Sequence, residues 1–328
     1  VYTGTNEGAR LDQSASTADL AVMANGGDDH VRTGAGNDHV DAGAGHDVVC
    51  AGDGNDIILG GDGNDLIFAG QGNDNTNCGT GDDVYVVIGN VDGIQYDEAS
   101  LANFAGQSID LRDLLDLESV NQHEISDIVV GETVDGGLGL DTIVVLGSAD
   151  LSQAQISNIS RIVFDTEVTL GLSELLPNNG AIETIQGDGD AVLRFVKSNM
   201  SEEWVTISFD DLVLSGVSHI NIGYGVTLEI SDFSKIQEAQ IDMFSGGGVI
   251  RYTGEVDDSG LAGIVVDASL RIYDSEYDLV ANAYGASVQN INDAPYGIEG
   301  GPFSLNENVS GSSFGYFCTG SDRHSRID

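Results

Sequence analysis

A nine-residue repeat constrains this chain more than any other feature of its sequence. Between residues 24 and 86 one pattern occurs seven times without a gap. Glycine fills position 4 of all seven units and position 2 of six, and aspartate fills position 6 of all seven. Position 8 is apolar in every unit except the sixth, where it is Thr76. Self-similarity at a fixed short period predicts a stacked solenoid rather than an acidic, glycine-rich linker, which has no need of position 8.

Each column of the repeat has a physical role. Glycine permits positive φ and lets carbonyl groups converge, which a Cβ atom would hinder. Aspartate at a fixed offset supplies a hard oxygen ligand, the kind that Ca²⁺ prefers. The last three positions form a short strand whose middle side chain points inward. Turn and strand alternating at this period predict a flattened parallel solenoid with two units per winding.

The pattern resembles the GGxGxDxUx nonapeptide of RTX (haemolysin-type) proteins. The resemblance implies a parallel β-roll with Ca²⁺ between the turns of units n and n+2, and therefore about five Ca²⁺ sites. The paired aspartates would be Asp29 with Asp47, Asp38 with Asp56, Asp47 with Asp65, Asp56 with Asp74, and Asp65 with Asp83. The metal ligands implied by the resemblance are Asp29, Asp38, Asp47, Asp56, Asp65, Asp74 and Asp83, with the turn glycines Gly27, Gly34, Gly36, Gly43, Gly45, Gly52, Gly54, Gly61, Gly63, Gly70 and Gly72.

Folding of such a roll should depend on the metal. One inward side chain per nine residues buries little apolar surface, whereas every ordered residue loses conformational entropy. A cation that binds only the folded form supplies the missing stability. We therefore expect an extended chain without Ca²⁺ and a folded one with it.

Outward positions 7 and 9 differ between the two faces of the roll. Odd-numbered units share one face, and its outward side chains become apolar toward the C-terminal end: Val48, Cys50, Leu66, Phe68, Val84 and Val86. Such a stripe is typical of a covered surface, so we expect the segment after residue 86 to fold back on it. Cys50 and Cys78 lie on opposite edges, which argues against a disulfide between them.

The whole chain is predicted to be all-β, a parallel β-roll solenoid followed by a repeated β-rich region. We divide it into an N-terminal flank (1–23), the calcium-binding roll (24–86), a connecting segment with a short helix near 111–117 (87–130), a duplicated β-rich region (131–285), and a linker with a truncated cadherin-like start (286–328). Residues 156–176 align without gaps with 214–234, and seven of 21 positions are identical. Their period-2 apolar pattern fits either a wider solenoid or two stacked sheets.

Two further segments carry candidate ligands. Residues 136–144 fit the nonapeptide once more, with Asp141 at position 6. Because this copy stands alone in the sequence, a structural role is favoured over a complete metal site. Residues 288–311 resemble the junction of a cadherin-like or VCBS-type module, which would make Asp293, Glu307 and Asn308 candidate Ca²⁺ ligands.

Charge excludes several classes of function. With 54 acidic against 11 basic residues, the formal net charge is -43, which argues against nucleic acid as a partner and makes a cation the first partner to seek.

No apolar run reaches the roughly 20 residues of a membrane-spanning helix. The GxSxG match at 311–315 lacks the strand–turn–helix context of a nucleophile elbow, and His123-Glu124 lacks the second histidine of a zinc motif. We therefore predict no enzyme within this chain.

The sequence thus predicts a calcium-binding structural or adhesive module of a large RTX protein. The resemblance implies type I export of the unfolded chain, an extracellular and surface-associated location, and cell-surface or matrix ligands as further partners. The alternative is the accessory calcium-binding region of a type I-secreted hydrolase (a protease, lipase or phosphatase) whose catalytic domain lies outside these residues.

Overall fold

The computed structural model describes residues 1–91, 94, 96, 120, 125–171, 182–197, 204–210, 212–231 and 239, and the backbone of strands at 240–243, 249–252, 264–273, 279–290 and 304–305. Strands dominate the described residues, so the predicted all-β class is confirmed. Two compact units, Val1–Ala191 and Val192–Asp328, divide the chain. The helix expected near 111–117, the candidate ligands Asp293, Glu307 and Asn308, and the motifs at 123–124 and 311–315 lie outside the described residues.

Most described strands of the first unit lie in two parallel sheets. Sheet I contains β2 (Arg10–Asp12), β4 (His30–Arg32), β6 (Val48–Asp53), β8 (Leu66–Gln71), β10 (Val84–Ile88), β12 (Thr142–Leu146), β15 (Arg161–Phe164) and β17 (Thr184–Val196). Sheet II contains β1 (Tyr2–Thr3), β3 (Ala21–Met23), β5 (His39–Ala44), β7 (Ile57–Asp62), β9 (Asn75–Thr80), β11 (Thr133–Asp135) and β14 (Gln155–Ser157). A further parallel pair joins β13 (Ser148–Asp150) to β16 (Glu167–Gly171). A 3-10 turn at Leu151–Gln153 directly follows β13.

The register confirms two units per winding. Val48 pairs with Leu66 in sheet I and Ile57 pairs with Asn75 in sheet II, a step of 18 residues in each case. Position 8 points inward in all seven units, and its side chains are buried: Val31, Val40, Val49, Ile58, Ile67, Thr76 and Tyr85. A second inward column, position 1, was not predicted, although strand alternation returns the side chain to the same face two residues later. Its buried members are Ala24, Thr33, Ala42, Ala51, Ala69 and Cys78.

The roll continues beyond its last contiguous unit. Val84 of β10 pairs with Thr142 of β12, and Asn75 of β9 pairs with Thr133 of β11, a step of 58 residues in both sheets. Compared with the regular step of 18, this winding contains 40 inserted residues. The expectation that residues 136–144 stand alone is therefore wrong, because the chain returns to the roll in register after the insertion.

The apolar stripe on the outer face of sheet I is covered, as predicted. Leu66 and Phe68 are half-buried against a cluster that includes Val91, Tyr96 and Val120 of the segment after residue 86. Cys50 packs against the same cluster, whereas Cys78 lies in the roll interior, and both are free thiols.

The apolar columns of the longer repeat form core. All twelve residues in the matched positions are buried: Ile156, Ile159, Ile162, Phe164, Val168 and Leu170 in the first copy, and Leu214, Val217, Ile220, Ile222, Val226 and Leu228 in the second. The matched apolar columns of the sequence thus identified buried positions of both copies.

The described part of the second unit is also rich in strands. They are β18 (Val205–Ser208), β19 (Val213–Ile222), β20 (Val226–Ile230), β21 (Gln240–Met243), β22 (Val249–Tyr252), β23 (Ile264–Tyr273), β24 (Leu279–Asn290) and β25 (Ser304–Leu305). The pairs β18–β20, β19–β21 and β20–β22 are parallel, which favours the solenoid over the sandwich, whereas β23–β24 and β24–β25 are antiparallel. No helix among the described residues is long and apolar enough to cross a membrane.

Candidate metal centre

The position-6 aspartates form a hydrogen-bonded column along each edge of the roll. Beyond the first member of each column, every aspartate accepts, at Oδ1, the backbone N–H of the aspartate one winding earlier, whereas Asp29 and Asp38 accept the N–H groups of Ala9 and Leu20. The donor and acceptor pairs are Asp29 and Asp47 (2.7 Å), Asp38 and Asp56 (2.7 Å), Asp47 and Asp65 (2.9 Å), Asp56 and Asp74 (2.8 Å), and Asp65 and Asp83 (2.8 Å). The structure therefore brings together the two members of every predicted pair.

The second carboxylate oxygen has no such partner. In six of the seven aspartates Oδ2 is buried and accepts no hydrogen bond: Asp29, Asp47, Asp56, Asp65, Asp74 and Asp83. The exception is Asp38, whose Oδ2 accepts a long bond of 3.4 Å from the Gly34 N–H. A buried carboxylate oxygen without a partner is costly unless a cation compensates it. These oxygens are thus available to a cation, whereas the Oδ1 atoms already accept backbone N–H groups.

Burial also perturbs the acidity of the column. It raises the pKa of Asp47 and Asp74 to about 6 and the pKa of Asp56 and Asp65 to about 7. Neighbouring carboxylates add to this effect, since Asp74 and Asp38 both raise the pKa of Asp56. A divalent cation in contact with these groups would favour their charged form and reverse the direction of the shift.

Glycines leave room beside the Asp65 carboxylate and between successive turns. A Cβ atom at Gly60 would lie 2.6 Å from Asp65 Oδ2, and one at Gly61, where φ is +117°, would lie 1.8 Å from the Gly43 carbonyl oxygen. Among the predicted turn glycines, φ lies between +89° and +149° at Gly27, Gly43, Gly45, Gly52, Gly54, Gly61, Gly63, Gly70 and Gly72. Gly34 and Gly36 lie outside the positive-φ region, but a Cβ at either would clash with the backbone of residues 16 or 18.

A second side-chain ladder, at position 5, was missed in the sequence. There six of the seven side chains accept the N–H of the residue one winding later, as Asn37 does from Asn55 (2.8 Å) and His46 does from Asn64 (2.9 Å). The seventh, Asn73, donates to the Val130 carbonyl (2.9 Å). The signal was present, because every position-5 residue can accept a hydrogen bond: Asp28, Asn37, His46, Asn55, Asn64, Asn73 and Asp82. This ladder lies on the exposed side and holds successive turns together next to the aspartate column.

In sheet II the acidic column ends at a glutamate that the sequence did not reveal. Glu132 follows Asp74 by one enlarged winding and is fully buried. Its Oε1 accepts the hydroxyl of Tyr85 at 2.7 Å, and its Oε2 accepts the N–H of Val129 at 3.1 Å. Burial raises the pKa of Glu132 to about 8. Both oxygens therefore have protein partners, which distinguishes Glu132 from the aspartates.

The donor set fits Ca²⁺. Within the described ranges, no three His, Cys, Asp or Glu side chains are arranged to hold a metal by themselves. A metal site at the aspartate columns would need backbone carbonyls of the glycine turns as further ligands, and its ligands would then all be oxygen atoms. Hard oxygen ligands from carboxylates and carbonyls are the preferred environment of Ca²⁺.

Comparison with known families agrees with this chemistry. Residues 23–58 and 51–85 match the family model of the RTX calcium-binding nonapeptide repeat. No curated protein and no solved structure matches the chain. RTX repeats bind calcium in a structural module, and residues 23–85 of this chain are an array of RTX calcium-binding nonapeptide repeats.

Proposed function

We propose that calcium controls the folding of this chain through the aspartate columns. Asp29, Asp38, Asp47, Asp56, Asp65, Asp74 and Asp83, with carbonyls of the turn glycines, would hold about five ions between successive windings. The observation that carries the proposal is the different use of the two oxygens within each carboxylate. One oxygen accepts a backbone N–H, and the other is buried without a protein partner in six of the seven aspartates.

Without the metal, the same columns oppose folding. They place carboxylates one winding apart in a buried edge of a chain whose formal net charge is -43. Self-repulsion of that kind destabilises the compact state. Ca²⁺ neutralises the columns only when the windings are stacked, so metal binding and folding are coupled.

Such coupling suits a protein that is exported unfolded and folds where calcium is abundant. We therefore assign the roll to a large secreted, surface-associated RTX protein, in which the strand-rich region after the repeats has a structural or adhesive role. The parallel pairing that continues through β12, β15 and β17 supports a structural extension of the roll. RTX repeats are structural rather than catalytic, so in the alternative of a type I-secreted hydrolase the catalytic domain would lie outside residues 23–85.

A calcium titration of matched variants tests the proposal. We expect the circular dichroism of the full chain to change from extended to β-rich with a midpoint of about 10⁻⁴–10⁻³ M Ca²⁺. Asp56→Asn should raise this midpoint at least about tenfold, since losing even an outer partner of a metal ligand costs about 10–100-fold in affinity.

Asp53→Asn is the control for this titration. Asp53 lies in the same turn as Asp56 and carries the same charge, but its side chain is exposed. Its substitution should leave the midpoint unchanged. Equal β content in EDTA and in millimolar Ca²⁺ would overturn the proposed function.

A further inference from the structure

Residues 136–144 reproduce the turn of a repeat unit on top of the last contiguous one. The Leu138 N–H donates to the Gly79 carbonyl (2.9 Å), and the Gly81 N–H donates to the Leu138 carbonyl (2.8 Å). Gly137 and Gly139 have φ of +91° and +150°, as the turn glycines of the repeats do. This turn lies outside the residues that match the RTX family model.

Asp141 takes the place of the next aspartate in the column of sheet I. Its Oδ1 accepts the Asp83 N–H at 2.9 Å, the bond that links aspartates throughout the repeats. Its side chain is 1% exposed, and its Oδ2 is buried without a partner. The position-5 ladder continues as well, since the Leu140 N–H donates to Asp82 Oδ1 at 2.9 Å.

Position 1 of this turn is glycine, as it is in the fifth repeat unit. A Cβ atom at Gly136 would lie 2.8 Å from Asp141 Oδ2, just as one at Gly60 would lie 2.6 Å from Asp65 Oδ2. Continued stacking of the windings does not by itself explain why Asp141 Oδ2 is buried without a partner. In sheet II the equivalent level holds Glu132, whose two oxygens are both occupied by hydrogen bonds within the protein.

We propose that Asp83 and Asp141, with backbone carbonyls of their two turns, hold a further Ca²⁺ ion across the insertion. The site rests on the proposed function, because it uses the same chemistry as the repeats. It adds that the calcium-dependent fold does not stop at residue 86 but includes the strands that follow the insertion. Calcium would then join the two ends of the insertion, Ile88 and Thr133, within one winding.

Isothermal titration calorimetry of the full chain tests the site directly. Asp141→Asn keeps an oxygen for the Asp83 N–H but places an amide where the cation would be, so it should bind one Ca²⁺ fewer than the wild type. The control Asp190→Asn changes an exposed aspartate and should retain the wild-type stoichiometry. Equal stoichiometry in wild type and Asp141→Asn would overturn this inference, whereas a wild type that binds no Ca²⁺ would overturn the proposed function itself.

Limited trypsin digestion shows whether the site extends the fold. Arg32 lies in β4 within the repeats, and Arg161 lies in β15, directly paired with the Asp141 turn through Thr142. In Ca²⁺ the wild type should resist cleavage at both residues. Asp141→Asn should stay protected at Arg32, which shows that it folds, but be cut faster at Arg161. Equal protection of Arg161 in both proteins would contradict the proposal.

Discussion

Gly61 carries two separate constraints at one residue. Its φ of +117° disfavours any L side chain, and the Gly43 carbonyl oxygen occupies the place of a Cβ atom. Gly189 has nearly the same φ, +115°, but nothing lies within 4 Å of its Cβ position. The two glycines therefore separate backbone strain from the close approach of neighbouring turns.

Alanine at these two glycines should have different costs. We expect Gly189→Ala to destabilise the Ca²⁺-loaded protein by about 1–3 kcal/mol through backbone strain alone. Gly61→Ala should cost a further ~1–3 kcal/mol, because the turns must move apart. Urea unfolding in saturating Ca²⁺ measures both, and equal losses would show that close stacking of the turns is unimportant.

Two buried threonines give a second residue-scale prediction. Thr76 faces the interior at position 8, and its hydroxyl is buried without a partner. Thr76→Val should therefore stabilise the roll by about 1–3 kcal/mol, the penalty of an unsatisfied buried group. Thr33 is equally buried, but its hydroxyl donates to the Ala51 carbonyl at 2.6 Å. Thr33→Val should destabilise by about 0.5–1.5 kcal/mol, and thermal unfolding at fixed Ca²⁺ compares the two variants.

At the scale of single strands and turns, the repeat was predictable because its information is local. Period nine predicted the two sheets, the pairing of every second unit and the inward position 8. The apolar side chains of Leu66 and Phe68 predicted that a later segment covers sheet I. The buried position-1 column was missed because alanine in a glycine-rich turn carries a weak apolar signal.

The turn at Asp141 was misjudged for a different reason. Its partner Asp83 is 58 residues away, and nothing in the intervening sequence states that the chain returns to the same edge. The return of the chain to the roll costs little free energy. Enlarging the closed loop about threefold adds about 1 kcal/mol of closure entropy, and one Ca²⁺ site at tenfold excess over Kd contributes about 1.4 kcal/mol. The hydrogen bond between Tyr85 and Glu132 was missed for the same reason, because the two side chains meet only after the insertion has closed.

For the molecule as a whole, protonation at low pH should partly replace Ca²⁺ in stabilising the roll. The pKa of Asp56 and Asp65 is about 7 in the roll against 3.8 for an ordinary aspartate. Their contribution to the stability of the metal-free roll is therefore present below pH ~4 and is lost as the pH rises through about 7. Protonation also reduces the repulsion within a chain whose formal net charge is -43.

We accordingly expect calcium-stripped protein to contain more β-structure at pH 5 than at pH 8. Protons and Ca²⁺ compete for the same oxygens, so the Ca²⁺ midpoint should be higher at pH 5. Circular dichroism at both pH values measures each effect, and the double variant Asp56→Asn, Asp65→Asn should respond less to pH. Loss of β-structure on mild acidification would contradict the raised pKa of Asp56 and Asp65.

The enlarged winding between β10 and β12 shows where this architecture accepts foreign sequence. A solenoid of repeated windings can accept an insertion between two windings, provided that the chain returns in register. Ile88 and Thr133 thus flank a natural insertion site in the roll. A guest domain with adjacent termini could be added between them, provided that the residues that cover sheet I, among them Val91, Tyr96 and Val120, are kept. The calcium-bound roll would then display that domain at a fixed place.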